Sequence, residues 1–98
     1  MTELQRAVQI YLGADSNGGV DPVGMEERLT AEYGPQTDLV LGEVRRILSM
    51  LDEYERDWAA DTLQSAALKV EEDLGLRLPD FPKRLRRAMA NYWSYGWR

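Results

Sequence analysis

Apolar side chains recur every three to four positions along almost the whole chain, and no stretch alternates as a half-buried strand does. Thr2 and Gln5 have the spacing of a capping box, and Leu4, Ala7, Val8 and Tyr11 line one face of the helix it opens. Gly13 stops that helix, and residues 13–21 have the composition of a loop. Asp21-Pro22 reads as an N-cap and first helical residue, with Glu26 and Glu27 near the positive end of the dipole. Met25, Leu29 and Tyr33 give this second helix its apolar face, and Gly34-Pro35 ends it.

A third helix, capped by Thr37 or Asp38, carries the strongest stripe: Val40, Val44, Ile47, Leu48 and Leu51, with Tyr54 as its extension. Gly42 costs its first turns about 1 kcal/mol relative to alanine, unless a neighbouring backbone packs there. A turn is expected within residues 52–57, followed by a fourth helix from about Trp58 to Leu74, with Gly75 as the residue after its end. Residues 76–79 then read as an extended connector. Asp80 caps a final helix with Phe81, Leu85, Ala88, Met89, Tyr92 and Trp93 on one face. The pattern predicts an all-α chain, one small domain over residues 1–98, built as a four- to five-helix bundle with short connections. Its central pair is expected to be the third and fourth helices, antiparallel.

Composition narrows the function. Histidine and cysteine are both absent from the 98 residues. That removes Cys/His zinc sites, thiolate ligation of iron, Ser-His-Asp or Cys-His catalysis, and any disulfide framework. Asp15, Asn17, Asp21 and Glu26 fall at positions 1, 3, 7 and 12 of a calcium-loop count. Gly19 and Val20, however, stand where that loop needs an oxygen ligand and its invariant glycine, and Pro22 removes a backbone N–H. The loop's four glycines between positions 13 and 24 are followed by no Gly-Lys-Ser/Thr, so they make no phosphate loop. The chain therefore reads as non-enzymatic, with no catalytic residues, no metal ligands and no cofactor. Its apolar runs are no longer than Leu39-Val40-Leu41, and residues 1–9 have no signal-peptide core. The expected setting is the cytoplasm, away from the membrane.

Charge supplies the candidate surfaces. The formal net charge is −5, yet residues 77–98 hold six basic side chains against one acidic, while residues 1–76 hold six against sixteen. The acids concentrate at Asp52, Glu53, Glu55, Asp57 and Asp61, and again at Glu71-Glu72-Asp73. With the third and fourth helices antiparallel, these two groups would border one extended negative surface. The basic residues Arg84, Arg86 and Arg87 lie off the apolar face of the last helix and are expected to be exposed, with Tyr95 and Trp97 beyond the core pattern. Two functions follow. The first is binding of another protein with a basic surface, in the manner of an inhibitor, immunity protein or adaptor, through the acidic residues, the arginines and Tyr95 and Trp97. The alternative is a nucleic-acid-binding regulator whose last helix places arginines on phosphates and aromatics on bases.

Overall fold

A computed structural model describes residues 1–55 and 62–95. The chain is all-α: among the described residues there are five α-helices and no strand. Helix α1 spans Glu3–Leu12, α2 Met25–Tyr33, α3 Thr37–Leu48, α4 Leu63–Arg77 and α5 Lys83–Tyr95, with short 3-10 turns at Gly34–Gln36 and Ser49–Glu53. The predicted capping box of α1 forms in both directions: Thr2 Oγ1 accepts from the Gln5 N–H at 3.1 Å, and Gln5 Oε1 accepts from the Thr2 N–H at 3.2 Å. Thr62 and Ser65 open α4 with the same reciprocal pair.

Several boundaries move from where the pattern put them, among them the start of α4, at Leu63 after the extended Thr62 cap and not at Trp58. Helix α2 begins at Met25, not Pro22, because Asp21 turns its carboxylate onto the Val23 N–H at 3.0 Å and so stabilises a turn instead of a helix start. Helix α5 begins after Pro82, whose carbonyl accepts from the N–H groups of Leu85 and Arg86, so Asp80 is not its cap. The Asp80 carbonyl accepts instead from the Gln5 side chain at 3.1 Å, tying the connector to α1. Helix α4 runs through Gly75 to Arg77. Gly75 is therefore not a helix end, and a side chain there would meet only the tip of the Arg86 guanidinium from α5. Among the described residues nothing packs on Gly42, whose flexibility is a plain cost to α3.

The centre of the molecule is α5. It packs along α4, crosses α1 and touches the 3-10 turn at Ser49–Glu53, while α1, α2 and α3 pack on one another. The third and fourth helices are therefore not the central pair. Leu85, Ala88, Met89 and Trp93 of α5 join Val8, Leu12, Leu29, Val44 and Leu74 in one continuous core. The predicted stripe of α3 is buried only at Val44, Leu48 and Leu51, with Val40 and Ile47 at its edge.

Two arginines hold the 12-residue loop between α1 and α2. Arg28 donates to the carbonyls of Ile10 (2.9 Å), Tyr11 (2.8 Å), Val23 (2.7 Å) and Asp21 (2.5 Å), closing the C-terminal end of α1 where the dipole favours a cation. At the loop's tip Asp15 accepts from the N–H groups of Asn17 and Gly19, each at 2.8 Å, so its carboxylate is spent on the turn. Gly18 has φ +81°, and the methylenes of Arg87 lie where its side chain would be. Asn91 of α5 donates to the Gly18 carbonyl at 2.7 Å. No helix among the described residues is long and apolar enough to cross a membrane.

Candidate functional site

A groove of about 700 Å³ opens where the Ser49–Glu53 turn meets the end of α5. Its position follows from the local sequence. After Leu48 the α3 helix tightens into a 3-10 turn, which buries Leu51 and sends Asp52 outward. Trp93, buried on α5, donates its indole N–H to the Tyr54 carbonyl at 3.2 Å and so fixes the turn's exit against α5. The groove's walls are then aromatic: Tyr11 from α1, Tyr54 from the turn, and Tyr92, Trp93 and Tyr95 from α5. Tyr95 is 38% exposed.

Two charged side chains line it, Asp52 and Arg45. Arg45 is engaged by Glu26 of α2 at 2.6 Å. Asp52 has no ion-pair or hydrogen-bond partner among the described residues, so the local charge of the groove is negative. Burial pushes the Tyr92 hydroxyl above the ordinary tyrosine range, and the neighbouring Tyr11 and Asp52 add to that rise. Beside the groove, Arg77 of α4 pairs with Glu53 at 2.6 Å, donates to the Tyr54 hydroxyl at 3.2 Å and lies 5.8 Å from the centre of the Tyr54 ring. That hydroxyl in turn donates to Asp73. Burial first, and this bond to Asp73 second, raise the Tyr54 pKa.

This network overturns one sequence-based expectation. Glu53 and Asp73 do not lie at opposite ends of a hairpin bordering one negative surface; both are gathered at one place by Tyr54 and Arg77. The third acid to be accounted for, Glu71, is buried and meets Arg87 at 3.3 Å. Because α4 continues past it to Arg77, the acidic run no longer ends its helix.

The structure thus divides the predicted surface residues. Asp52 and Tyr95 share the groove, and Glu55 stands exposed just past the turn. Glu53 lies adjacent but neutralised. Arg84 is exposed near the start of α5, whereas Arg86 is half-buried against Gly75 and donates to the Phe81 carbonyl at 3.2 Å. Arg87, although partly exposed, is bound to Glu71 and packed on Gly18. Arg86 and Arg87 therefore do not project freely, because α4 and the loop after α1 converge on them. Asp57, Asp61 and Trp97 lie outside the described residues. Tyr11, Tyr92 and Arg45 belong to the groove and were not marked by the sequence pattern: each sits on a separate helix whose own periodicity assigns it only to a core stripe or to a solvated face.

The arrangement presents flat apolar walls with hydroxyl and carboxylate oxygens at their edge, a composition suited to a cationic or amphipathic side chain. Two smaller clefts differ. The one between α4 and α5, about 620 Å³, is lined by the Glu71–Arg87 pair, and the one between α1 and α3, about 300 Å³, is mostly apolar. The first holds no aromatic side chain, and the second sets the carboxylate of Glu3, unpaired among the described residues, beside a single aromatic ring, Tyr33.

Alkaline titration reports on this environment. Burial raises the pKa of Tyr33, Tyr54 and Tyr92 above the ordinary value of about 10. Folding thus favours their neutral form. That stabilisation is complete below the ordinary tyrosine range and is lost as pH climbs through the raised folded values. Phenolate absorbance of the native chain is expected to develop later than in the denatured chain. Tyr92→Phe removes one late step, and coincident native and denatured curves contradict the assignment.

No family model matches the chain, and no curated protein or solved structure shows significant similarity to it.

Proposed function

We propose that this chain is a non-enzymatic, cytoplasmic protein-binding module that covers a basic region of another protein, as inhibitors, immunity proteins and adaptors do. Its binding face is the rim of the aromatic groove with Asp52 and Glu55. The observation that carries this reading is the groove itself: five aromatic side chains from three elements surround one carboxylate that has no counter-ion among the described residues. Aromatic anchors with an acidic rim are the composition that gives both contact energy and a steered approach to a basic surface. The absence of cysteine is in keeping with a reducing compartment. The nucleic-acid alternative is less well supported, since Arg86 and Arg87 are engaged within the chain and the aromatic groove is itself acidic.

The test reverses charge where no internal ion pair is broken. Asp52→Lys with Glu55→Lys is expected to leave the helical circular dichroism spectrum unchanged and to abolish capture of a partner identified by mass spectrometry. Lys83→Glu with Arg84→Glu leaves the same capture intact. Salt-sensitive binding of mixed DNA or RNA that disappears in the second variant overturns the proposal in favour of the nucleic-acid reading.

A further inference from the structure

The loop after α1 carries a chemically reactive pair, Asn17-Gly18, under a structural clamp. We propose that Asn17 is a self-modification site, its side-chain amide lost by attack of the Gly18 backbone nitrogen, and that the clamp from Asn91 and Asp15 sets the rate.

Asn17 is exposed, and its side-chain amide has no hydrogen-bond partner among the described residues. Gly18 follows it, and without a Cβ no side chain hinders the approach of its nitrogen to Asn17 Cγ. The step balances with water alone. The Gly18 N–H gives its proton to solvent, the nitrogen bonds to Asn17 Cγ, and the side-chain nitrogen leaves as ammonia, closing a cyclic imide. Water then opens the ring at either carbonyl. One product is aspartate; the other is isoaspartate, in which the main chain runs through the side chain and is longer by a methylene. The chain's other asparagine, Asn91, precedes Tyr92 inside α5, where helical hydrogen bonding holds the nitrogen that would attack.

The native loop resists that step. Gly18 donates its N–H to the Asp15 carbonyl at 3.2 Å, which holds the proton that has to leave. The Asp15 carboxylate accepts from the N–H groups of Asn17 and Gly19, each at 2.8 Å, and the Asp15 N–H donates to the Gly19 carbonyl at 3.0 Å. From the side of α5, Asn91 donates to the Gly18 carbonyl at 2.7 Å and the methylenes of Arg87 cover Gly18. Imide formation therefore waits for the loop to leave α5, a local opening far smaller than global unfolding. Isoaspartate then makes the opening permanent, because the longer main chain carries the Gly18 carbonyl off Asn91. Aspartate keeps the backbone length and sets a second carboxylate close to that of Asp15, which repels it.

The experiment holds the whole chain folded in neutral buffer and, in parallel, unfolded in urea. Mass spectrometry of the tryptic peptide spanning Asn17 follows the mass gain that marks amide loss, and enzymatic methylation of isoaspartate measures the longer product. The folded chain is expected to convert more slowly than the unfolded one. Asn91→Ala removes one hydrogen bond of the clamp and speeds conversion of the folded chain about fivefold. Asp15→Ala removes two bonds to a carboxylate and speeds it about tenfold or more. Neither substitution changes the rate in urea, and Arg84→Gln, on the exposed face of α5, changes neither rate. Equal rates in the folded and unfolded chain, a folded Asn91→Ala or Asp15→Ala chain that converts no faster than the unsubstituted one, or an amide that survives even in urea each overturns the proposal. Where Asn91→Ala loses its helical circular dichroism spectrum, Asp15→Ala decides alone, since that exposed carboxylate serves only the loop tip.

Discussion

Leu74→Ala is expected to destabilise the chain by about 2–5 kcal/mol, whereas Ile47→Ala costs about 1–1.5 kcal/mol. Leu74 is fully buried on α4, the helix whose hold on the rest of the molecule is its packing along α5. Truncating it removes apolar contact and leaves a cavity at that interface, which the helix backbones cannot close without shifting. Ile47 lies on the strongest apolar stripe in the sequence but only at the edge of the core, so part of its side chain stays in water and its truncation leaves less of a cavity. Chemical denaturation of both variants measures the difference. Equal losses would mean that α3, and not the α4–α5 pair, dominates the stability of a domain whose total is of the order of 5–15 kcal/mol.

Arg28→Ala is expected to cost about 2–4 kcal/mol, an unusual loss for a side chain with more than a quarter of its surface exposed. The guanidinium satisfies four backbone carbonyls from α1 and the following loop at once, all at 2.9 Å or less, and adds a longer contact of 3.6 Å to the Asp21 carboxylate. Charge-assisted bonds of this kind are about twice as strong as neutral ones. Removing the donor exposes the last carbonyls of α1 and frees the loop that Asn91 and Arg87 hold against α5. Arg28→Lys is expected to recover less than half of the loss, since a single ammonium cannot reach carbonyls arranged around a planar fork. Full recovery by lysine would show that charge near the helix end, and not the fork, does the holding. Hydrogen exchange of residues 13–24 separates the two, because loosening confined to the loop is the signature of the fork.

The groove adds a consequence for the protein's surface. Of the acids concentrated in two runs, Glu53, Glu71 and Asp73 are answered within the chain, by Arg77, Arg87 and the Tyr54 hydroxyl. Among the described residues Asp52, Glu55 and Glu72 are not. The net charge of −5 therefore understates how selectively the negative potential is placed.

What the sequence by itself determined was local. The helical period, the Thr2–Gln5 capping box, the loop after Gly13 and the apolar face of α5 depend on neighbours within one or two turns, and all of them stand. Charge clustering also marked Asp52, and its position beyond the core stripe marked Tyr95. The pairing of helices was decided only in three dimensions, because an apolar stripe says that a helix must be covered and not by which partner. The stripe of α3 was the strongest and still lies at one side of the core. Gly75 reads locally as a stop, yet α4 continues through it to Arg77 and ends only where Leu78 leaves the helix. Arg28 reads as one charge on a short helix, and becomes the clasp of a loop only because α1 ends beside it. The groove belongs wholly to the tertiary structure. Tyr11, Tyr54 and Tyr92 come from three elements, and the order of residues along a chain does not record which of its ends will face one another.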